Sequence, residues 1–288
     1  MTTWPPIEGA RLRDRLAMDD ERFLELYLQL LEASSPRVFA DDHYETVIGY
    51  PWARDLGSYL LSDAGVEQLD EVEERAAAYT AADGSGPARF PLLAYGANRS
   101  PERLSMRFAG LPDGHRDALV LGATLAGFDV GVTAIPPVWA AMPGTLIPSP
   151  EARVRVTVLL VTAVQFEELT KMELSYRVGA LEPVEVVPDL GGISIGRAFA
   201  FVSRFGALRV DGTPIVMQAI PAEGRSYPAL TQVEILDAGA RLCLGEAARG
   251  ADLIRAAFEQ PTGFMAEHYP TFRSAAFDFE SPLWTPMP

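Results

Sequence analysis

At 288 residues, with 48% hydrophobic and 22% charged content, the chain can bury a sizeable core as one large domain or two ordinary ones. The formal net charge of -15 argues against a nucleic-acid partner and an anionic membrane surface, because phosphate binding needs a basic field. Cys243 is the one cysteine, so an intramolecular disulfide is excluded.

The first residues, Met1-Thr2-Thr3-Trp4-Pro5-Pro6, lack the basic region and apolar run of a secretory signal. No apolar stretch nears the ~20 residues of a membrane helix, and the expectation is a cytoplasmic protein. From Asp19 to Ala33, Phe23, Leu26, Tyr27, Leu30 and Leu31 recur at helical spacing behind an acidic start. Val66, Leu69, Val72, Ala76 and Tyr79 make a second helical stripe, and Asp83-Gly84-Ser85-Gly86-Pro87 reads as a linker. Residues 1–88 are thus expected to be a helical extension. It could cover one face of a sheet, form a lid, or make a homo-oligomer contact, since amphipathicity fits all three.

Beyond it the texture changes to short β-like runs: Phe90 to Tyr95, Ala118 to Phe128, Val154 to Val161, Glu182 to Val187 and Arg197 to Phe205. Helices are expected from Pro101 to about Ala109 and from about Ala163 to Leu174. Strands and helices without regular alternation predict an α+β domain, a small mixed β-barrel or sheet with flanking helices, over 89–258. The remaining segment, 259–288, is rich in proline and aromatics and reads as irregular chain packed on that domain.

Two stretches carry chemistry. In Phe90-Pro91-Leu92-Leu93-Ala94-Tyr95-Gly96-Ala97-Asn98-Arg99-Ser100-Pro101, a strand ends at Tyr95 and Gly96 permits a tight turn or a positive φ. Ser100 and Pro101 then open a helix as N-cap and first residue. Such a loop presents backbone N–H groups and a helix N-terminus to an anion, with Arg99, Arg103 and Arg107 adding charge. In the second stretch, Thr162-Ala163-Val164-Gln165 is a capping-box pattern. Glu173 follows Phe166 by seven residues and Leu169 by four, so it shares their inward face, while Glu167 and Lys171 pair on an exposed one. An inward carboxylate loses hydration, and its pKa rises toward the range useful in general acid/base chemistry. A partly buried glutamate satisfied by a backbone N–H or an arginine is the ordinary alternative.

Other motifs lack context. Gly192-Ile193-Ser194-Ile195-Gly196 matches the serine-hydrolase string, but the residues after Gly196 read as a strand where the nucleophile elbow needs a helix. His43, His115 and His268 are scattered without metal-ligand spacing, and no phosphate-binding or dinucleotide fingerprint occurs, so neither metal nor cofactor is expected.

Taken in order, several stretches resemble the gamma-glutamylcyclotransferase-like superfamily. Tyr95-Gly96-Ala97-Asn98 is similar to its Tyr-Gly-Ser-Asn loop, and Ser100-Pro101-Glu102-Arg103-Leu104 to the helix that follows. Thr124 to Phe128, Ala141 to Pro150, Glu173-Leu174-Ser175-Tyr176 and Tyr227-Pro228 fall in the family's order, over roughly 170 residues. Ala97 stands where the family has serine, and Arg99 where it has an apolar residue. The resemblance implies a cyclotransferase, of acyltransferase or lyase type, that releases 5-oxoproline from a small γ-glutamyl amine or peptide. Glu173 would be its acid/base, and Tyr95, Gly96, Ala97, Asn98, Arg99 and Tyr176 its substrate-binding set. A non-catalytic ligand- or partner-binding protein of the same fold is the alternative.

Overall fold

The computed structural model describes residues 4–33, 41–52, 56–71, 79, 87–135 and 141–288. Three helices open it: α1 (Ala10–Leu16), α2 (Asp20–Glu32) and α3 (Asp41–Ile48). Asp19 caps α2 by accepting the Arg22 N–H at 2.8 Å. The buried stripe of α2 is Phe23, Tyr27 and Leu31, each a helical turn apart, whereas Leu30 is 41% exposed.

The second expected helix is overturned where it is described. Val66 and Leu69 lie in β2 (Gly65–Leu69), which pairs antiparallel with β1 (Ser58–Ser62). Gly65 takes φ of 115°, which lets two short strands reverse on themselves. Four of the five β2 residues are exposed, so the strand has no alternating apolar face to betray it. Val72, Ala76 and the expected linker residues Asp83 to Gly86 lie outside the described residues.

The central strands are β3 (Arg89–Ala94), β4 (Ala118–Val132), β5 (Gly144–Thr162), β6 (Tyr176–Leu181), β7 (Val186–Pro188) and β8 (Ala198–Ser203). They form a large, mostly antiparallel sheet in the order β4–β5–β3–β8–β6, with β3 and β8 its parallel neighbours at Leu92 and Phe199. Among the described residues the sheet stays open, so the mixed sheet and not the barrel is the outcome. β4 and β5 pair from Leu119–Leu160 to Val132–Gly144, well beyond the expected spans. A bulge at Gly127, with φ of 82°, shifts the register, and the pairing resumes at Phe128 and runs on beyond it. The strand expected at Glu182 to Val187 is also shifted. Pro183 has no N–H for the ladder, so β6 ends before it, and only the three residues of β7 pair beyond.

Helices cover both faces. Leu104 and Phe108 of α4 (Pro101–Phe108) and Phe166 and Leu169 of α5 (Ala163–Met172) pack with Leu12 of α1 and Phe199 of β8. On the other face Phe23, Tyr27, Leu31 and Tyr50 share a buried cluster with Leu119, Val158, Leu253, Phe264 and Phe272. The last three come from α7 (Gly250–Glu259) and α8 (Pro261–Ser274), which follow α6 (Gln232–Leu244). α8 replaces much of the irregular segment expected over 259–288. Pro261 sits in its first turn, where no N–H is needed, and the buried Phe264 and Phe272 lie eight residues apart on one face. Pro270 removes one bond inside the helix, but α8 continues because that face is packed. Trp284–Pro286 then pairs antiparallel with β6. Among the described residues eight α-helices occur, and no helix is long and apolar enough to cross a membrane.

Candidate active site

Tyr95 leaves the end of β3 buried at 4% exposure, and Gly96 turns the chain with φ -117 and ψ -140. The φ is negative, so Gly96 is not used for a left-handed turn. Its missing side chain leaves room for the Tyr50 hydroxyl, with which a Cβ would collide. A short 3-10 turn, Ala97–Arg99, leads to Ser100, which accepts the Arg103 N–H and caps α4 ahead of Pro101, as the sequence predicts. That turn aims the Asn98 side chain inward.

α5 starts at its predicted capping box: the Thr162 N–H donates to Gln165 Oε1 at 2.8 Å, and the Gln165 N–H returns to Thr162 Oγ1 at 3.3 Å. Phe166 and Leu169 are fully buried and fix the face of the helix. Glu173 is the C-cap and has left helical geometry, with φ -89 and ψ 62. It points inward all the same, because its own N–H is tied to the Thr170 carbonyl at 3.2 Å and Ser175 and Tyr176 enter β6 buried. At the tip, Glu173 Oε1 accepts a hydrogen bond from Asn98 Nδ2 at 2.9 Å. The two residues are 75 positions apart in sequence.

These groups line one cavity of about 210 Å³, together with Tyr95, Gly96, Ala97, Arg103, Arg107, Tyr176, Tyr27, Tyr50, Trp52 and Gly144. Its charge inverts that of the molecule. Arg107 Nη1 lies 3.9 Å from Glu173 Oε1, and the Arg103 guanidinium lies over the Trp52 ring at 4.4 Å. Burial raises the Glu173 carboxyl above its ordinary range. Arg107, the Asn98 hydrogen bond, Arg103 and Arg15 pull the other way, and burial prevails. Among the described residues, Asn98 Oδ1 and Arg107 Nη1 are buried without a hydrogen-bond partner, an acceptor and a donor left to the cavity's contents.

Gly144 joins two tyrosines. Its N–H donates to Tyr50 Oη at 3.1 Å, and its carbonyl accepts the Tyr176 hydroxyl at 2.8 Å. Burial pushes the Tyr50 phenol up to about 12 and holds those of Tyr95 and Tyr176 well above the ordinary value. Arg15 extends from α1 to the other end of the arrangement, donating to the carbonyl of Thr170 at 2.6 Å, which also takes the Glu173 N–H, and to that of Lys171 at 3.1 Å.

Of the residues chosen from sequence, Glu173, Tyr95, Gly96, Ala97, Asn98 and Tyr176 come together around the cavity. Arg99 does not join them. It is 4% exposed and its Nε reaches Thr157 Oγ1 at 3.3 Å, so the arginines at the cavity are Arg103 and Arg107. The Glu167–Lys171 pair exists at 3.6 Å, but Glu167 is not a free surface group, because it accepts the Glu8 N–H at 2.7 Å. Tyr27, Tyr50, Trp52 and Gly144 were missed. The only local sign of them is the aromatic pair around Pro51 and the Pro143-Gly144 break, and neither points to a strand some fifty residues away.

Ser194 lies in the loop between β7 and β8 with a strand after it, so the elbow geometry is absent. Among the described residues no group of three or more His, Cys, Asp or Glu could hold a metal ion. In comparison with known proteins, the chain matches no family model, no curated protein and no solved structure.

Proposed function

We propose that the chain is a cyclotransferase with a gamma-glutamylcyclotransferase-like fold, acting in the cytoplasm to release 5-oxoproline from a compact γ-glutamyl amine or peptide. One observation carries this reading: a carboxylate of raised pKa, Glu173, is hydrogen-bonded to Asn98 inside a small cavity that also holds two arginines. A γ-glutamyl head has an α-ammonium and an α-carboxylate. Glu173 and the unpartnered Asn98 Oδ1 suit the first, and Arg103 and Arg107 suit the second.

In this scheme Glu173 takes a proton from the α-ammonium, and the freed amine attacks the γ-carbonyl carbon. A C–N bond forms, the carbonyl π pair moves to oxygen, and it returns as the bond to the departing nitrogen breaks. Glu173 hands its proton to that nitrogen. A second proton follows from the ring nitrogen, so the amine leaves as an ammonium and no water is consumed. A five-membered ring closes within a held molecule, so geometry supplies much of the acceleration. A single carboxylate of raised pKa serves first as base and then as acid. The cavity is smaller than the several hundred Å³ usual for drug-sized ligands, which favours a compact leaving group.

The test is 5-oxoproline release from a panel of γ-glutamyl amides. Glu173→Gln should lower turnover by about 10²- to 10⁴-fold with the fold intact. Substantial activity in that variant would sink the assignment.

A second reading has its own support. Tyr50 Oη already occupies the Gly144 amide beside the Tyr95–Asn98 turn, and Arg107 stands near Glu173, as in a binding pocket that performs no chemistry. A folded wild type that binds γ-glutamyl compounds but releases no 5-oxoproline would favour it.

A further inference from the structure

The turn after β3 was expected to offer its amides to a ligand anion. In the structure another oxygen is already there. Tyr50, 7% exposed, places its hydroxyl over Gly96, where it accepts the Gly144 N–H at 3.1 Å. Among the described residues no acceptor takes the Tyr50 proton. A phenol oxygen that receives an N–H directs its own O–H away from that donor, and Tyr50 borders the cavity. Burial keeps the phenol protonated at neutral pH, and donors behind an oxygen polarise its O–H, which strengthens the bond it gives.

We propose that Tyr50 is a ligand-contacting residue that the N-terminal extension adds to this cavity, with its hydroxyl, held by the Gly144 amide, donating to a ligand oxygen. Resting on the cyclotransferase reading, that oxygen is the γ-carbonyl. It gains charge as the new C–N bond forms and gives the electron pair back as the old one breaks, while Tyr50 keeps its proton throughout. The α-carboxylate is then carried by Arg103 and Arg107 and not by the turn. Gly96 lacks a side chain because Tyr50, and not the ligand, needs the space.

The experiment compares wild type with Tyr50→Phe, each checked by circular dichroism and thermal unfolding, in 5-oxoproline release and in calorimetric binding of 5-oxoproline. Loss of one preorganised donor should lower kcat by about 10²-fold while KM changes by less than about threefold. A kcat within about threefold of wild type, or above it, overturns the proposal and makes Tyr50 a plug or a structural group. Should wild type turn over no substrate, the cyclotransferase reading fails by itself and binding decides the role of Tyr50. Affinity for 5-oxoproline at least about tenfold weaker in the variant supports it, and equal behaviour, including no binding by either protein, overturns it. Should Tyr50→Phe not fold, a crystal structure of wild type soaked with 5-oxoproline decides. Tyr50 Oη within hydrogen-bond reach of a ligand oxygen supports the contact, and a more distant ligand or an empty cavity overturns it.

Discussion

Glu173 is set by two opposed influences, burial raising its pKa and the arginines around it restraining the rise. Arg107 is the largest restraint, so Arg107→Gln should move the acid limb of a kcat/KM profile to higher pH. An unmoved or lowered limb would mean that Arg107 does not act on the group that titrates. Stability follows the same logic. With its folded pKa above its unfolded one, Glu173 contributes stability that is fully present below the unfolded value and lost as pH rises through the folded value. Glu173→Gln should therefore unfold at the same or a higher Tm than wild type near pH 7.5, with the gap closing toward about pH 4. A variant less stable at the higher pH would contradict the burial argument. The sequence made Glu173 legible through its offset from Phe166, although the residue faces inward as a C-cap and not as part of the helix. Arg99 was misplaced because positive charge near a loop is visible in sequence, whereas the choice between cavity and sheet depends on Thr157, 58 positions away.

At the scale of elements, α5 is held at both ends, and the two ends should respond differently. Thr162→Ala removes the N-cap and should cost about 1 kcal/mol in chemical denaturation while leaving catalysis nearly unchanged. Arg15→Ala removes one of the two donors to the Thr170 carbonyl and the Arg15 donor to the Lys171 carbonyl, next to Glu173. It should cost a similar ~1 kcal/mol, with a fall in kcat that exceeds any change in KM. Equal kinetic effects at the two ends would remove Arg15 from the positioning of Glu173. The capping box could be read directly, since the motif spans four residues and needs no partner. β4 and β5 could be read only in part, since Pro148 looks like a stop and only cross-strand pairing shows that the ladder runs on past Phe128 and through Pro148. α8 was hidden for a related reason: its prolines outweighed a Phe264–Phe272 face that gains its meaning from the core it meets.

Across the molecule, changes of texture in the sequence divide what packing joins. Phe23 is fully buried in the same cluster as strand and C-terminal helix residues, and it stacks with Tyr27 and meets Phe205 at 6.3 Å. Phe23→Ala should therefore cost about 3–5 kcal/mol and lower the main unfolding transition. An early, separate transition with the main one unmoved would show that the extension unfolds by itself. The three-residue strand beside β6 has a different consequence. Gly179 makes room for the Trp284 ring, and the Met287 N–H points in to the Val178 carbonyl at 2.8 Å. Alternation along a strand then turns the nitrogen of Pro286 outward, where it has no hydrogen to give. A neighbouring chain laid along this rim would find a donor missing from the row it needs, so crowded copies of the molecule are discouraged from joining into a continuous sheet here.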